Sequence, residues 1–365
     1  MRMKKVLILA AVAAIAATAC NKTFEAVPTA EAEIGFGTWT EHMTKAKTEF
    51  VANDEFDVFG YKWMTAGTPA PVTVFDGVDV KYDGTNWTYA PARFWDSNYD
   101  NYTFFAAWPK DILAAGDYAQ TGLFITNDLD FNGADEKLMI AQKKDVAKAQ
   151  YGNTVPLVFK HEGSLIDIKF KKHDNLADAV VEVTGISLSN IQSKGHFTVA
   201  SYNTDNDPVG TAGVGGWEPA ATPVKSNYDH TAGTAGVTMP VSLAASTGNT
   251  TATAGALVNN LVVMPQALGG TADDPKLTIS YKITTGTGAD AQTIEYTDNV
   301  ILFSAFDKTD PNPDDKDNTT PFITTWEPGV HYIYYITINA NIITFSASIS
   351  PWTTTEVYGH HYLIK

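Results

Sequence analysis

The chain has one cysteine in 365 residues, Cys20. No internal disulfide can form, so stability must come from apolar burial and sheet hydrogen bonding. Arginine is nearly absent too: Arg2 and Arg93 are the two. This excludes phosphate clamps built from several guanidinium forks. Positive charge is outnumbered, with 25 Lys and Arg against 41 Asp and Glu and a formal net charge of −16. Such a surface repels nucleic acid and anionic membrane headgroups, and neither is expected as a partner. Helical periodicity is scarce. The one helix candidate, Ala141 to Gln150, is short and mostly polar, and a loop turn is the alternative.

What is present begins at the N-terminus. Arg2, Lys4 and Lys5 precede an apolar run, Val6 to Ala17, which closes on Ala17-Thr18-Ala19-Cys20. A basic start, a short apolar middle and small residues before a cut make a secretory signal peptide. The run is too short to span a bilayer stably. A cysteine directly after small residues suits a lipoprotein signal peptidase, which cleaves after the thiol is acylated. Ordinary secretion would leave a lone free thiol open to oxidation, and lipidation removes that hazard. No second apolar span follows Cys20, so the lipid is the expected membrane attachment. The cleaved signal is 1–19.

With 44% hydrophobic and 12% aromatic residues, the chain can bury a sizeable core, and its length predicts more than one domain. Short alternating or apolar runs bounded by Gly, Asn, Asp and Pro predict strands at Phe56–Tyr61, Val72–Phe75, Tyr102–Trp108, Val155–Phe159, Ser164–Phe170 and Val180–Leu188. Later runs are Leu261–Met264, Leu277–Ile283, His331–Asn339 and Ile342–Ile349. No parallel β-α-β rhythm appears, so an all-β chain of antiparallel sandwiches or barrels is expected. The polar stretch Lys171–Asp178 separates two strand-rich regions, giving expected domains of 48–173 and 174–365.

Patterns that carry chemistry fail on inspection. His161-Glu162 starts like a zinc-protease helix, but Leu165 stands where the second histidine belongs. Gly185-Ile186-Ser187-Leu188-Ser189 lacks the final glycine of a nucleophile elbow, and no helix follows. Asp310, Asn312 and Asp314 have calcium-loop spacing, yet Asp315 occupies the glycine position and Pro321 that of the bidentate Glu. His360 and His361 would point to opposite faces of a strand. Trp87, Tyr89, Phe94 and Trp95 could stack on a sugar; at period-two spacing they equally suit core packing. No catalytic residue, metal ligand or cofactor is assigned.

An ordered set of aromatic segments carries more information. Phe56-Asp57-Val58-Phe59-Gly60-Tyr61 is followed by Trp87-Thr88-Tyr89-Ala90-Pro91, Arg93-Phe94-Trp95 and Tyr102-Thr103-Phe104-Phe105-Ala106-Ala107-Trp108-Pro109. Then come Val155-Pro156-Leu157-Val158-Phe159-Lys160-His161, Ile168-Lys169-Phe170, Trp326-Glu327-Pro328-Gly329, Tyr332-Ile333-Tyr334 and Ile349-Ser350-Pro351-Trp352. In this order and spacing the chain resembles the fimbrillin family, the type V pilins of Bacteroidales, from the lipobox to its end.

The resemblance implies two β-sandwich domains of transthyretin-like topology, no enzymatic activity, and a role as a surface fimbrium subunit in cell adhesion at the outer membrane. It also implies a lipidated precursor, cut by a protease after a basic residue so that a first strand leaves. A neighbouring pilin subunit then fills the vacated groove with a strand of its own. In this sequence the removable strand would hold Ile34 and Phe36, within a propeptide of 20–47. The candidate cuts follow Lys45 or Lys47, a departure from family members cut after arginine. The tail 352–365, with Trp352, Val357, Tyr358, Tyr362, Leu363 and Ile364, is the candidate donor. Partners would be other pilin subunits, the membrane, the processing protease and a host or bacterial surface ligand. The alternative is a surface lipoprotein that binds glycans or host ligands without polymerising.

Overall fold

The computed structural model describes residues 32–40, 50–113, 124–133, 135, 137–202, 208–210, 216–231, 239–243, 256–269, 275–302, 323–339 and 343–351. These form an all-β protein. The strands are β1 (Phe36–Thr40), β2 (Glu55–Trp63), β3 (Val72–Tyr82), β4 (Trp87–Thr88), β5 (Asn101–Trp108), β6 (Phe124–Ile125), β7 (Leu129–Asp130), β8 (Met139–Ala147), β9 (Val155–His161), β10 (Ser164–Lys172) and β11 (Val180–Gln192). There follow β12 (Lys194–Tyr202), β13 (Pro208–Gly210), β14 (Trp217–Pro219), β15 (Lys225–Thr231), β16 (Val241–Ser242), β17 (Ala256–Val263), β18 (Gln266–Ala267), β19 (Lys276–Thr285), β20 (Gln292–Ile301), β21 (Thr325–Trp326), β22 (Val330–Ile338) and β23 (Ile343–Pro351).

The first sheet runs β1-β9-β8-β5-β2-β3-β4. Both of its faces are covered. Phe56, Val58, Tyr102, Phe104 and Ala106 point into one core with Phe75, Trp95 and Phe159. Their sequence neighbours Phe59, Phe105 and Ala107 point into a second, completed by Leu165, Phe197, Trp217, Val262 and Met264. This explains why Tyr102–Ala107 reads as a continuous apolar run: successive side chains enter opposite faces, and neither face meets water.

The second half is a sandwich. One sheet, β17-β10-β22-β23, packs on β15-β11-β19-β20. Ile166, Ile168 and Phe170 of β10 meet Val181, Val183, Ile186 and Leu188 of β11 and Leu277 and Ile279 of β19. The chain passes from the first sheet to this sandwich between His161 and Ser164, ahead of the polar stretch Lys171–Asp178. Among the described residues two ladders are parallel, β1 on β9 and β10 on β22. Side-chain alternation is the same for either strand sense, so the sequence does not distinguish them.

The stretch Ala141–Gln150, a candidate helix or loop turn by sequence, instead lies in strand β8, followed by a 3-10 turn at Lys148–Gln150. Ladder partners decide the matter: Ala106, Phe105 and Phe104 of β5 pair with Ala141, Gln142 and Lys143. A register shift between Tyr102 and Phe104, with Asp145 at φ 55°, lets the strand continue until Val146 re-enters the core.

Candidate functional site

The site is the seat of the first strand. Residues 32–40 cross from one wall to another. Ile34 donates its N–H to the Arg93 carbonyl (2.9 Å), Trp95 donates to the Ala32 carbonyl (3.0 Å), and Glu33 bridges Phe94. One residue later the strand changes partner: the Val155 N–H donates to the Gly35 carbonyl (2.8 Å), and Phe36–Thr40 runs parallel to Val155–Phe159. β1 is the last strand of its sheet.

Alternation sends Ile34 and Phe36 inward, where they are 0% and 6% exposed. The Phe36 ring meets Phe75 edge-on at 5.3 Å, Phe104 at 5.7 Å and Tyr89 at 5.8 Å. Such tilted and edge contacts suit the ring quadrupoles. Two aromatics of the wall also touch the strand through their polar ends. The Tyr89 hydroxyl donates to the Ile34 carbonyl (2.7 Å), and the Trp87 indole donates to the Thr38 hydroxyl (2.9 Å). Burial pushes the Tyr89 phenol up to about 12, so it remains a neutral donor. Arg93, which closes the wall, is pinned by its Nε to the Val74 carbonyl and by Nη1 to the Pro91 carbonyl.

The aromatics considered for sugar stacking have other work. Trp95 is buried and stacks on Tyr151 at 4.6 Å, while Trp87 packs on Phe56 and Phe50. Phe94 is the exposed one of the four, at 52%. His161 ends β9, and Gly185–Ser189 lies within β11 rather than at a strand-to-helix turn. The calcium-like Asp310, Asn312 and Asp314, the pair His360-His361, Cys20, Lys45 and Lys47 all lie outside the described residues, as do Trp352, Val357, Tyr358, Tyr362, Leu363 and Ile364. Described chain ends at Pro351, the last residue of edge strand β23.

Sequence alternation puts Ile34 and Phe36 on one face, and in the structure that face points inward. Sequence reasoning missed the wall: Trp87 and Tyr89 were legible as aromatic landmarks and Arg93 as the start of Arg93-Phe94-Trp95, but nothing in their spacing shows that they grip a strand about fifty positions earlier. It also missed a carboxylate cluster. Asp57, Asp79 and Asp111 gather their oxygens within 4.8 Å, because Asp57 and Asp79 are cross-strand partners. Burial first, and then the charges of Asp79 and Asp111, push Asp57 up to about 6, against the N–H that Asp111 donates to it. Lys110 offsets the cluster by pairing with Asp79 (3.1 Å) and Glu55 (2.5 Å).

Residues 44–352 match the family model described as fimbrillin-like. Among solved structures, the chain is similar to a fimbrial protein from Bacteroides vulgatus, at 21% identity over 88% of this chain and 100% of that one, with a TM-score of 0.60. It is also similar to a fimbrilin from Porphyromonas gingivalis, at 11% identity over 91% of this chain and 100% of that one, with a TM-score of 0.41. Comparison with curated proteins gives no match. With the family match covering most of its length and the fold shared with the Bacteroides protein, the chain belongs to the fimbrillin-like family.

Proposed function

We propose that the protein is a structural subunit of a surface fimbrium, built by strand exchange and serving cell adhesion, with no catalytic role. The observation that carries this reading is the first strand. Among the described residues β1 is an edge strand with one ladder, and with the short crossing to Arg93–Trp95 that precedes it, it plugs an aromatic core with Ile34 and Phe36. A precursor lipidated on Cys20 would reach the outer membrane, and cleavage after Lys45 or Lys47 would free the strand. The vacated seat offers unpaired backbone along β9 and an open apolar slot, the two things that strand addition needs.

The donor in this reading is the tail after Pro351. Seating four or five of its apolar side chains contributes on the order of 6–12 kcal/mol before the entropy costs of ordering, enough to hold a joint. The test is the size of the processed protein, with and without Thr353–Lys365. The full tail should give a ladder of multimers, and the shortened chain a folded monomer. Multimers that persist without the tail would move the joint elsewhere. A processed full-length chain that stays strictly monomeric would refute the reading.

A further inference from the structure

The seat does more than cover apolar side chains; it contacts the strand's polar groups at two fixed points. The Tyr89 hydroxyl meets the carbonyl of Ile34 and the Trp87 indole meets the hydroxyl of Thr38, four residues further on. The first contact is blind to residue type, since every residue has a carbonyl, and so it anchors the strand while the side chain in the slot sets its register. The second needs an accepting side chain and so fixes identity. Between them Phe36 fills the aromatic slot, whereas a Cβ added at Gly35 would meet nothing within 4 Å. The parallel ladder to β9 sets the direction, because reversing the strand would misplace both contacts.

We propose that Trp87 and Tyr89 are specificity-determining residues of the seat, which selects a strand of the pattern apolar–any–apolar–any–Ser/Thr running parallel to β9. For incoming strands this rests on the strand-exchange reading above. The resident segment Ile34-Gly35-Phe36-Gly37-Thr38 satisfies the whole pattern. Within 352–365 no five-residue window carries two apolar residues two positions apart with Ser or Thr two positions beyond them. The seat therefore prefers its own strand to the tail, and holds it until the chain is cut.

Hydrogen exchange on the intact chain tests the grip. Thr38→Val and Trp87→Phe should each speed exchange of the amides of residues 34–40 about three- to tenfold, the worth of one hydrogen bond. The double variant should go no further than either single one, and Thr38→Ser should behave like the parent. Trp87→Phe keeps a ring against Phe50 and Phe56, so an effect confined to 34–40 separates lost recognition from lost packing. Unchanged rates, or effects that add, would overturn the proposal. A second arm uses full chain cut within 41–49 and a peptide of residues 32–40 with its Thr38→Val counterpart. The parent peptide should bind about three- to tenfold more tightly. Peptides that enter without discrimination sink this proposal alone. If exchange coupling holds and neither peptide enters, strand exchange at this seat fails, and the proposal falls for incoming strands with it.

Discussion

Phe36→Ala should loosen the first strand without unfolding the protein. Phe36 is 6% exposed and its ring touches Phe75, Phe104 and Tyr89. Truncating a buried phenylalanine to alanine costs about 3–5 kcal/mol, from lost transfer energy and the cavity left behind. Because β1 is an edge strand with one ladder, that loss falls on a local opening rather than on the sheet as a whole. At about 1.4 kcal/mol per tenfold change, the open state gains roughly two to nearly four powers of ten in population. The amides of β9 report it: the Val155 N–H is bonded to the Gly35 carbonyl, and the ladder continues to Phe159. Their exchange should accelerate by that factor, while amides of β2 and β5 keep their protection. Phe36→Leu, which conserves most of the volume, should cost under about 1.5 kcal/mol and give a far smaller effect. If β9 stays protected while the melting temperature falls, or if β2 and β5 open along with it, the strand is not a separable unit and the argument for its removal fails.

Three further outcomes are expected. Cys20→Ser should abolish incorporation of labelled fatty acid and leave an unprocessed precursor; undiminished labelling would refute lipidation at that residue. Trypsin under native conditions should remove the segment through Lys45 or Lys47 and leave the remainder, from about Thr48, resistant, as read by mass spectrometry of the new N-terminus. Asp57→Asn should change the pH dependence of stability. Burial raises Asp57 from 3.8 to about 6 in the folded chain. The folded state thus holds this proton more tightly than the unfolded state. Its contribution is fully present below about pH 4 and is lost as pH rises through about 6. The groups facing it are Asp79, Asp111 and, through its pairs with Asp79 and Glu55, Lys110. The asparagine variant should gain about 1–3 kcal/mol near neutral pH and little at about pH 4, measured by chemical denaturation; an equal effect at both would count against the assignment.

How far the fold was legible depended on which neighbour each signal involves. Strand cores such as Phe56–Tyr61, Tyr102–Trp108 and Leu277–Ile283 were legible because alternation and apolar runs are properties of one segment. Partners were not. β10 precedes the polar break at Lys171–Asp178, yet it ladders with β22, about 165 positions later, and with β17. β8 misled because AQKKDVAKAQ has helix-forming residues and few apolar ones, while the β5 edge that captures it is remote in sequence. The shared face of Ile34 and Phe36 was legible because it follows from alternation within one segment. The strand's indole, phenol and carbonyl partners near 87–95 required the folded chain.

The pairing of β9 explains why an empty seat would be reactive rather than merely open. The Val155 N–H faces β1, so by alternation the backbone of Pro156 faces β8. Proline has no N–H to donate there, and the ladder between β8 and β9 consists of Met139 with His161 and Ile140 with Lys160. Over Val155–Phe159 the ladder partner of β9 is β1. Withdrawing β1 would leave that segment without a ladder partner among the described residues, while Val155, Leu157 and Phe159 are in the core at 2% exposure or less. The segment cannot swing away without exposing those side chains, and where it stays its β1-facing peptide groups have lost their protein partner. Each such group costs about 1–3 kcal/mol when buried. A strand from another subunit removes both penalties at once. In the proposed assembly, the energy that drives each joint is therefore set inside the subunit by the β9 groups that face β1, before any partner arrives.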